Sequence, residues 1–562
     1  MSKIWYALAT IALTAAVFGQ VRGHQFLIWD DELHVVNNPR LNPVTWTSLG
    51  EIWSEPYGGL YIPLSYTFFA AESLLSVRLT GRLDPLVFHL GNLALHLGCV
   101  LLVFAILLRL FRHEGAAVAG ALLFGLHPVQ VESVAWVSET RGLLCGLFSL
   151  LAVWQYVCYA REKRANRRKL IAYLLAGLAF ILALLCKPTA VALPLVVAVL
   201  DAGLLRRRWR VVLLSVAPWL LSSAVWTILT KFQQPDRAMA FVTPLWTRPF
   251  LAGDALAFYM YKLAAPFQYC ADYGRTPSWL MHQWWFWTIW LLPAVFLAAL
   301  SCLPGRRMWL TAAGLFAAGL LPVLGLVSFD YQRISTVADR YVYLAMLGPS
   351  LALAALIAWR PTRLTASATA ALLTVLALLS VHHTGHWRDN EAWAANTLRV
   401  NPQSVVGNHN LGLLRSRQGR DLEAINCYFA VLDVDPRYAQ TELNLGLTLA
   451  RIGDVDESIK ALERAIALRP DWALAHYHLG GVMAKDKGDL ARATRHFRKA
   501  VDLDSEYLKA YESLASVLAA RGNYAEAVKA CRGALQPAAK DPMLTRRIQE
   551  KMEYYRRKRD AR

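Results

Sequence analysis

What most restricts this chain is a succession of apolar runs, each near the length of a bilayer crossing, joined by short polar links up to about Val381. In hydrocarbon every backbone N–H and C=O has to be satisfied within its own segment, so runs of roughly 20 apolar residues can only be helices. Beyond Val381 charge is dense and no run of membrane length recurs. The chain averages, 56% hydrophobic and 18% charged with a mean hydropathy of +0.32, conceal that division. The chain therefore reads as all-α, with a polytopic membrane domain over residues 1–383 and a soluble helical domain over 384–562.

Eleven spans are expected, near 4–21, 86–108, 115–134, 141–160, 170–186, 188–205, 211–230, 284–303, 308–328, 339–358 and 364–381. The first is taken as an uncleaved span, because no small-x-small site closes it. A net charge of +19 raises the question of nucleic acid, but much of it lies in short links: Arg109 and Arg112, Arg161 to Lys169, Arg206 to Arg210, Arg306 and Arg307, Arg360 and Arg363. Links of this kind mark the cytoplasmic side and meet anionic lipid, and no basic-aromatic stripe accompanies them. Segment 250–268 carries Asp254 and Lys262 between Pro249 and Pro266. Read as interfacial or re-entrant, it leaves all five basic links cytoplasmic; the N-terminus is then cytoplasmic and the C-terminal domain extracytoplasmic. The eight cysteines form neither a CxxC pair nor a metal-ligand spacing, so no disulfide framework or zinc site is expected.

From about residue 403 the chain repeats. Gly412, Gly446 and Gly480 are spaced by 34 residues, and Gly419, Gly453, Gly488 and Gly522 form a second series. Pro436 and Pro470 close the first two units. That period, with small residues where helices cross, is the tetratricopeptide signature. Four repeats are expected at 403–436, 437–470, 471–505 and 506–539, with a lead-in half-unit and a charged C-terminal cap. Such arrays present a concave face that binds a peptide or a partner protein, and a purely structural spacer is the alternative.

Two carboxylates, Asp30 and Asp31, follow the first span directly. An acid where a helix meets water can act as a general base toward a substrate carried in the lipid; a solvated acidic loop is the plain alternative. On the same face fall Ser138 to Arg141, Lys187, and the loop around Asp330 and Arg333. The third span ends in Leu126-His127-Pro128-Val129-Gln130-Val131-Glu132-Ser133-Val134-Ala135-Trp136-Val137-Ser138-Glu139. With Trp29-Asp30-Asp31, Asn37-Asn38-Pro39, Lys187-Pro188, Ala338-Asp339-Arg340-Tyr341 and the repeats, this ordered set resembles the multi-spanning O-mannosyltransferase-like proteins with C-terminal tetratricopeptide repeats. Those proteins belong to the GT-C glycosyltransferase superfamily.

The resemblance implies a GT-C-like membrane domain and a transferase. It would move a sugar, mannose in eukaryotes, from a polyprenyl-phosphate carrier to an acceptor hydroxyl, on protein Ser or Thr, with inversion. It makes Asp30 the base and Asp31 its orienting partner, and sets His127 and Glu132 along the site. Arg141, Lys187 and Arg340 become the phosphate contacts. Each has a structural alternative: His127 as a helix cap, Glu132 paired with an arginine in the bundle, Lys187 snorkelling, Arg340 paired with Asp339 or Asp330. Relatives carry an acid shortly after the basic residue of this loop; here Arg141 is followed by Gly142 and Leu143. A divalent ion is used by some GT-C enzymes, but no ligand set for one is visible. The partners implied are the lipid-linked sugar, an acceptor protein held by the repeats, and the bilayer. The expected location is a bacterial inner membrane with a periplasmic site, or the ER membrane with a lumenal one. A non-catalytic scaffold that recruits partners through its repeats is the rival reading.

Overall fold

A computed structural model describes residues 3–162, 164, 166–233, 243–539 and 541–561. Two residues of the basic link 161–169 and residues 234–242 of the long stretch 231–283 lie outside the described set. Among the described residues there are helices and turns but no strand. Contacts divide the chain into two compact units, Met1–Pro402 and Gln403–Arg562.

Among the described residues the first unit includes the helices α1 (Lys3–Phe18), α2 (Pro63–Thr80), α3 (Pro85–Phe111), α4 (Glu114–Leu126), α5 (Thr140–Arg161), α6 (Arg167–Cys186), α7 (Leu193–Leu200), α8 (Trp209–Gln233), α9 (Arg248–Ala264), α10 (Leu291–Cys302), α11 (Arg306–Leu320), α12 (Leu347–Trp359) and α13 (Arg363–Thr384). Eight helical segments among the described residues are long and apolar enough to cross a membrane. A ninth arises if α4 and the bent segment Pro128–Ala135 count together. Eleven were expected. The difference lies at 308–328 and 339–358, where α11 has 15 residues and α12 has 13. Those lengths give about 22 and 20 Å of helix, short of the ~30 Å hydrocarbon core.

The basic links gather at one end of this unit. Arg161 donates to the carbonyls of Arg109 and Leu110. Arg207 pairs with buried Asp201 and lies over the rings of Tyr156 and Tyr159 at 5.5 and 5.0 Å. Arg307 donates to the carbonyls of Ala202 and Gly203 at 2.5 and 2.7 Å. Trp359 packs on Gly305, which brings in the last link. Helices α5 and α6 run between this end and the opposite one, where Thr140 and Cys186 begin and close them.

The expected division at 383/384 falls inside the first unit, because residues 384–402 pack onto the membrane helices. Trp387 lies 5.9 Å from Trp136, the Asn390 amide oxygen accepts from Ile28 N–H at 2.6 Å, and Asn396 donates to the Tyr269 carbonyl.

The second unit is four helix pairs and a cap. The pairs are Val405–Arg417 with Asp421–Val434, Ala439–Ile452 with Val455–Leu468, Ala473–Lys485 with Leu490–Leu503, and Leu508–Ala520 with Tyr524–Ala538; Pro542–Asp560 closes the array. The repeated small residues mark crossings. A Cβ on Gly446 would come within 2.7 Å of the Leu462 side chain and 3.1 Å of the Ser458 carbonyl. Gly446→Val is therefore expected to cost about 1–3 kcal/mol by overpacking, read as a lower melting midpoint and new protease cleavage within 437–470.

Candidate functional site

The site is assembled around a break. His127-Pro128 interrupts α4, since proline offers no N–H and pushes the preceding residue to extended backbone. His127 accordingly has ψ 133, and the following segment turns through 51°. That turn carries Glu132, Ser138 and Glu139 into the interior at the end remote from the basic links. Asn92 of α3 holds the new path, donating to the Trp136 carbonyl at 2.9 Å and accepting from the Thr140 hydroxyl at 2.6 Å. On the other side the Ser65 hydroxyl of α2 donates to the Cys186 carbonyl, fixing the end of α6 beneath Lys187.

Onto this frame the acidic pair docks, and its two members differ. Asp31 is fully buried and accepts from the Leu27 N–H at 3.0 Å, the Ser138 N–H at 2.9 Å and the Ser138 hydroxyl at 2.5 Å. It fastens the first loop to the start of α5. Burial raises its pKa to about 6, against the pull of those three donors. Asp30 keeps 28% of its side chain exposed and accepts from Arg141 at 2.9 Å.

Behind Asp30 stands a network of buried ions. Glu139, 1% exposed, faces three cations: Lys187 at 2.8 Å, Arg141 at 3.6 Å and Arg340 at 3.8 Å. Glu132 accepts from the Arg340 backbone N–H at 2.8 Å and from its guanidinium at 2.5 Å. The Arg340 guanidinium also lies over Tyr331 at 4.3 Å, Tyr341 at 5.1 Å and Trp136 at 5.4 Å. Trp29, next to Asp30, stacks on Trp136 at 4.5 Å with the rings 9° apart. Aromatic faces and carboxylates thus hold three cations in a little-hydrated space, where their field is stronger than in water.

Of the residues singled out in the sequence, Asp30, Glu132, Arg141, Lys187 and Arg340 meet in this network, with Asp31 beneath it. His127 stands apart. Its Nδ1 accepts from the Val129 N–H at 3.2 Å, and its Nε2 lies 3.4 Å from the Leu263 carbonyl. It caps the broken helix. Arg340 takes Glu132 as its partner; Asp339 accepts from the Tyr273 hydroxyl and Asp330 pairs with Arg333. The sequence placed Ser138 and Glu139 on the face of the acidic pair without a role for either, and gave no sign of the aromatic platform. A signal existed for Glu139: the acid lacking after Arg141 stands two residues before it.

Among the described residues no group of three or more His, Cys, Asp or Glu side chains is arranged to hold a metal ion. The acidic pair does not fit one as it stands, with Asp31 engaged by three donors and Asp30 by Arg141. The arrangement offers a carboxylate open to solvent beside cations suited to an anionic oxygen.

Asp31 sets a pH expectation. A folded value near 6 lies above the ordinary ~3.9, so the native state holds its proton more tightly than the unfolded chain. That contribution is complete below pH ~3.9 and lost as pH rises through ~6, up to about 3 kcal/mol. The difference in melting midpoint between wild type and Asp31→Asn, which cannot ionise, should therefore move against wild type between pH 4.5 and 7.5.

The chain is 26% identical over 497 residues to protein O-mannosyl-transferase TMTC4 of Homo sapiens, covering 76% of this chain and 66% of the relative. It is 24% identical over 462 residues to a protein O-mannosyl-transferase of Caenorhabditis elegans, covering 77% and 63%. This chain is a homologue of the TMTC-family protein O-mannosyl-transferases. It spans just under two thirds of the length of these O-mannosyl-transferase relatives. A tetratricopeptide-repeat family model matches residues 409–471, 443–487 and 481–542. Among solved structures, a MamA crystal structure is 28% identical, covering 27% of this chain and 81% of that one with a TM-score of 0.25. The O-mannosyl-transferase matches reach across both units of the chain.

Proposed function

We propose that the protein is a membrane glycosyltransferase that moves a sugar, mannose, from a polyprenyl-phosphate carrier to a hydroxyl on protein Ser or Thr. The observation that carries this reading is Asp30: a solvent-open carboxylate tied to Arg141 and backed by Lys187 and Arg340, in a homologue of O-mannosyl-transferases. Burying three cations and their acids is expensive, and such groups near a bilayer mark substrate paths.

In the proposed reaction the donor phosphate enters the cationic space and competes with Asp30 for Arg141. Asp30, released, takes the proton of the acceptor hydroxyl while that oxygen attacks the anomeric carbon. The anomeric carbon–oxygen bond to phosphate breaks, and the polyprenyl phosphate leaves with both electrons, its charge held by the cations. One displacement inverts the anomeric centre. An apolar groove of about 330 Å³ between α6 and α8, lined by Leu184, Val225 and Trp226, would receive the carrier's hydrocarbon. The repeat unit would hold the acceptor polypeptide. By the positive-inside rule the site faces away from the cytoplasm, toward the periplasm or the ER lumen.

The test supplies the purified full-length protein in nanodiscs with radiolabelled mannosyl-phosphoryl polyprenol and a membrane-protein extract. Label on polypeptide, released by an α- or β-mannosidase according to the anomer formed, is the expected result. Label in free glycan would make the protein a lipid-sugar ligase, and no label with any carrier-linked sugar would leave the scaffold reading.

A further inference from the structure

At the end remote from the acidic pair, the turn that follows α7 and the first turns of α11 border a shallow, open groove of about 520 Å³. It is lined by Val199, Ala202, Gly203, Leu310 and Thr311 and by the two arginines Arg306 and Arg307. Arg307 is fixed by the carbonyls of Ala202 and Gly203, which closes the last turn of the α7 segment and anchors one guanidinium at a defined place. Arg306 is exposed and has no acidic partner among the described residues, and the same holds for Arg206 and Arg208 of the facing link. Asp201, the buried acid nearby, is spent on Arg207. The level in the membrane is marked by tryptophans: Trp309 and Trp359 lie 5.7 Å apart, and Trp209 is 68% exposed. Tryptophan bodies of this kind collect at headgroup depth.

A shallow apolar groove beside two packed membrane-domain helices, with an exposed Arg306 guanidinium that has no acidic partner among the described residues, is complementary to a molecule with an anionic head and a hydrocarbon tail. A soluble anion would leave the floor wetted; a zwitterionic lipid would set its own cation against the arginines. We propose that this groove binds one anionic phospholipid, with its phosphate against Arg306 and Arg307 and an acyl chain along Val199, Ala202 and Leu310. The site is separate from the donor site, lies at the other end of α5 and α6, and stands whether or not the protein is a transferase.

Native mass spectrometry decides this on full-length protein extracted from nanodiscs of phosphatidylcholine doped with phosphatidylglycerol. Wild type should retain one phosphatidylglycerol in preference to phosphatidylcholine. Arg306→Ala should lower that retention about fivefold, the worth of one basic side chain near a lipid surface. Leu310→Trp, which fills the channel and keeps the charge, should lower it as well. Both variants should match the wild-type melting midpoint in pure phosphatidylcholine, where the site has no ligand. Equal retention of the two lipids by wild type overturns the proposal without any variant, and so does undiminished retention in both variants. A melting shift produced equally by glycerophosphoglycerol, which has the head without the tails, would make this a soluble-anion site and overturn the assignment to lipid.

Discussion

Asp30→Asn should leave the protein folded and lower kcat for mannosyl transfer by roughly 10²–10⁴-fold, the usual worth of a general base. The amide oxygen can still accept from Arg141, so the 2.9 Å contact and the stacked tryptophans persist; only the capacity to take a proton is lost. KM for the lipid-linked donor should not rise and should tend to fall, because the cations are untouched and a neutral amide competes with the donor phosphate for Arg141 less than the carboxylate does. Asp31→Asn should behave differently. An amide in place of a carboxylate turns one of its hydrogen-bond acceptors into a donor facing the N–H of Leu27 or the groups of Ser138, at a cost of about 1–3 kcal/mol. Activity and melting midpoint should then fall together. Full transfer by Asp30→Asn would take Asp30 out of the chemistry and send the search for the base to Glu132.

The second large effect is expected at Glu139. Replacing it with glutamine leaves Lys187, Arg141 and Arg340 facing one another with Glu132 and Asp30 as their remaining counter-charges. Breaking a buried pair by removing one partner costs about 3–5 kcal/mol. The melting midpoint should drop, and the donor KM should rise as the cations move apart. Adding Lys187→Met to Glu139→Gln removes one of the stranded charges, so the double variant should be more stable than the sum of the two single effects. Strict additivity would mean that the 2.8 Å contact carries no coupling energy.

Much of the architecture was legible because it is written in local periodicities. Apolar run lengths place the long membrane helices, and the 34-residue spacing places every helix pair of the repeat unit within a few residues. The short helices α11 and α12 were read as full spans because composition reports apolar length and not where a helix stops. The unit boundary was misplaced for a related reason. Asn390–Val400 has the look of a solenoid lead-in, and nothing in its pattern reveals that Asn390 and Trp387 dock on the first loop and on Trp136. In the site, acids and bases could be nominated by type and motif. Their pairing could not, since Glu132 meets Arg340 across 208 positions of sequence and Asp31 meets Ser138 across 107. Glu139 fell between expectations: an acid was sought after Arg141, and the helix start brings in one from before it.

Those two separations carry a schedule. At ~5–20 residues per second of synthesis, Asp31 waits roughly 5–20 s after leaving the ribosome for Ser138 to exist, and Glu132 waits about 10–40 s for Arg340. Throughout that interval Asp31 lacks its Ser138 donors and the third span holds an acid without its arginine. The nascent chain enters the membrane with this ion network disassembled, and the network is complete only when nearly all of the membrane unit has been made.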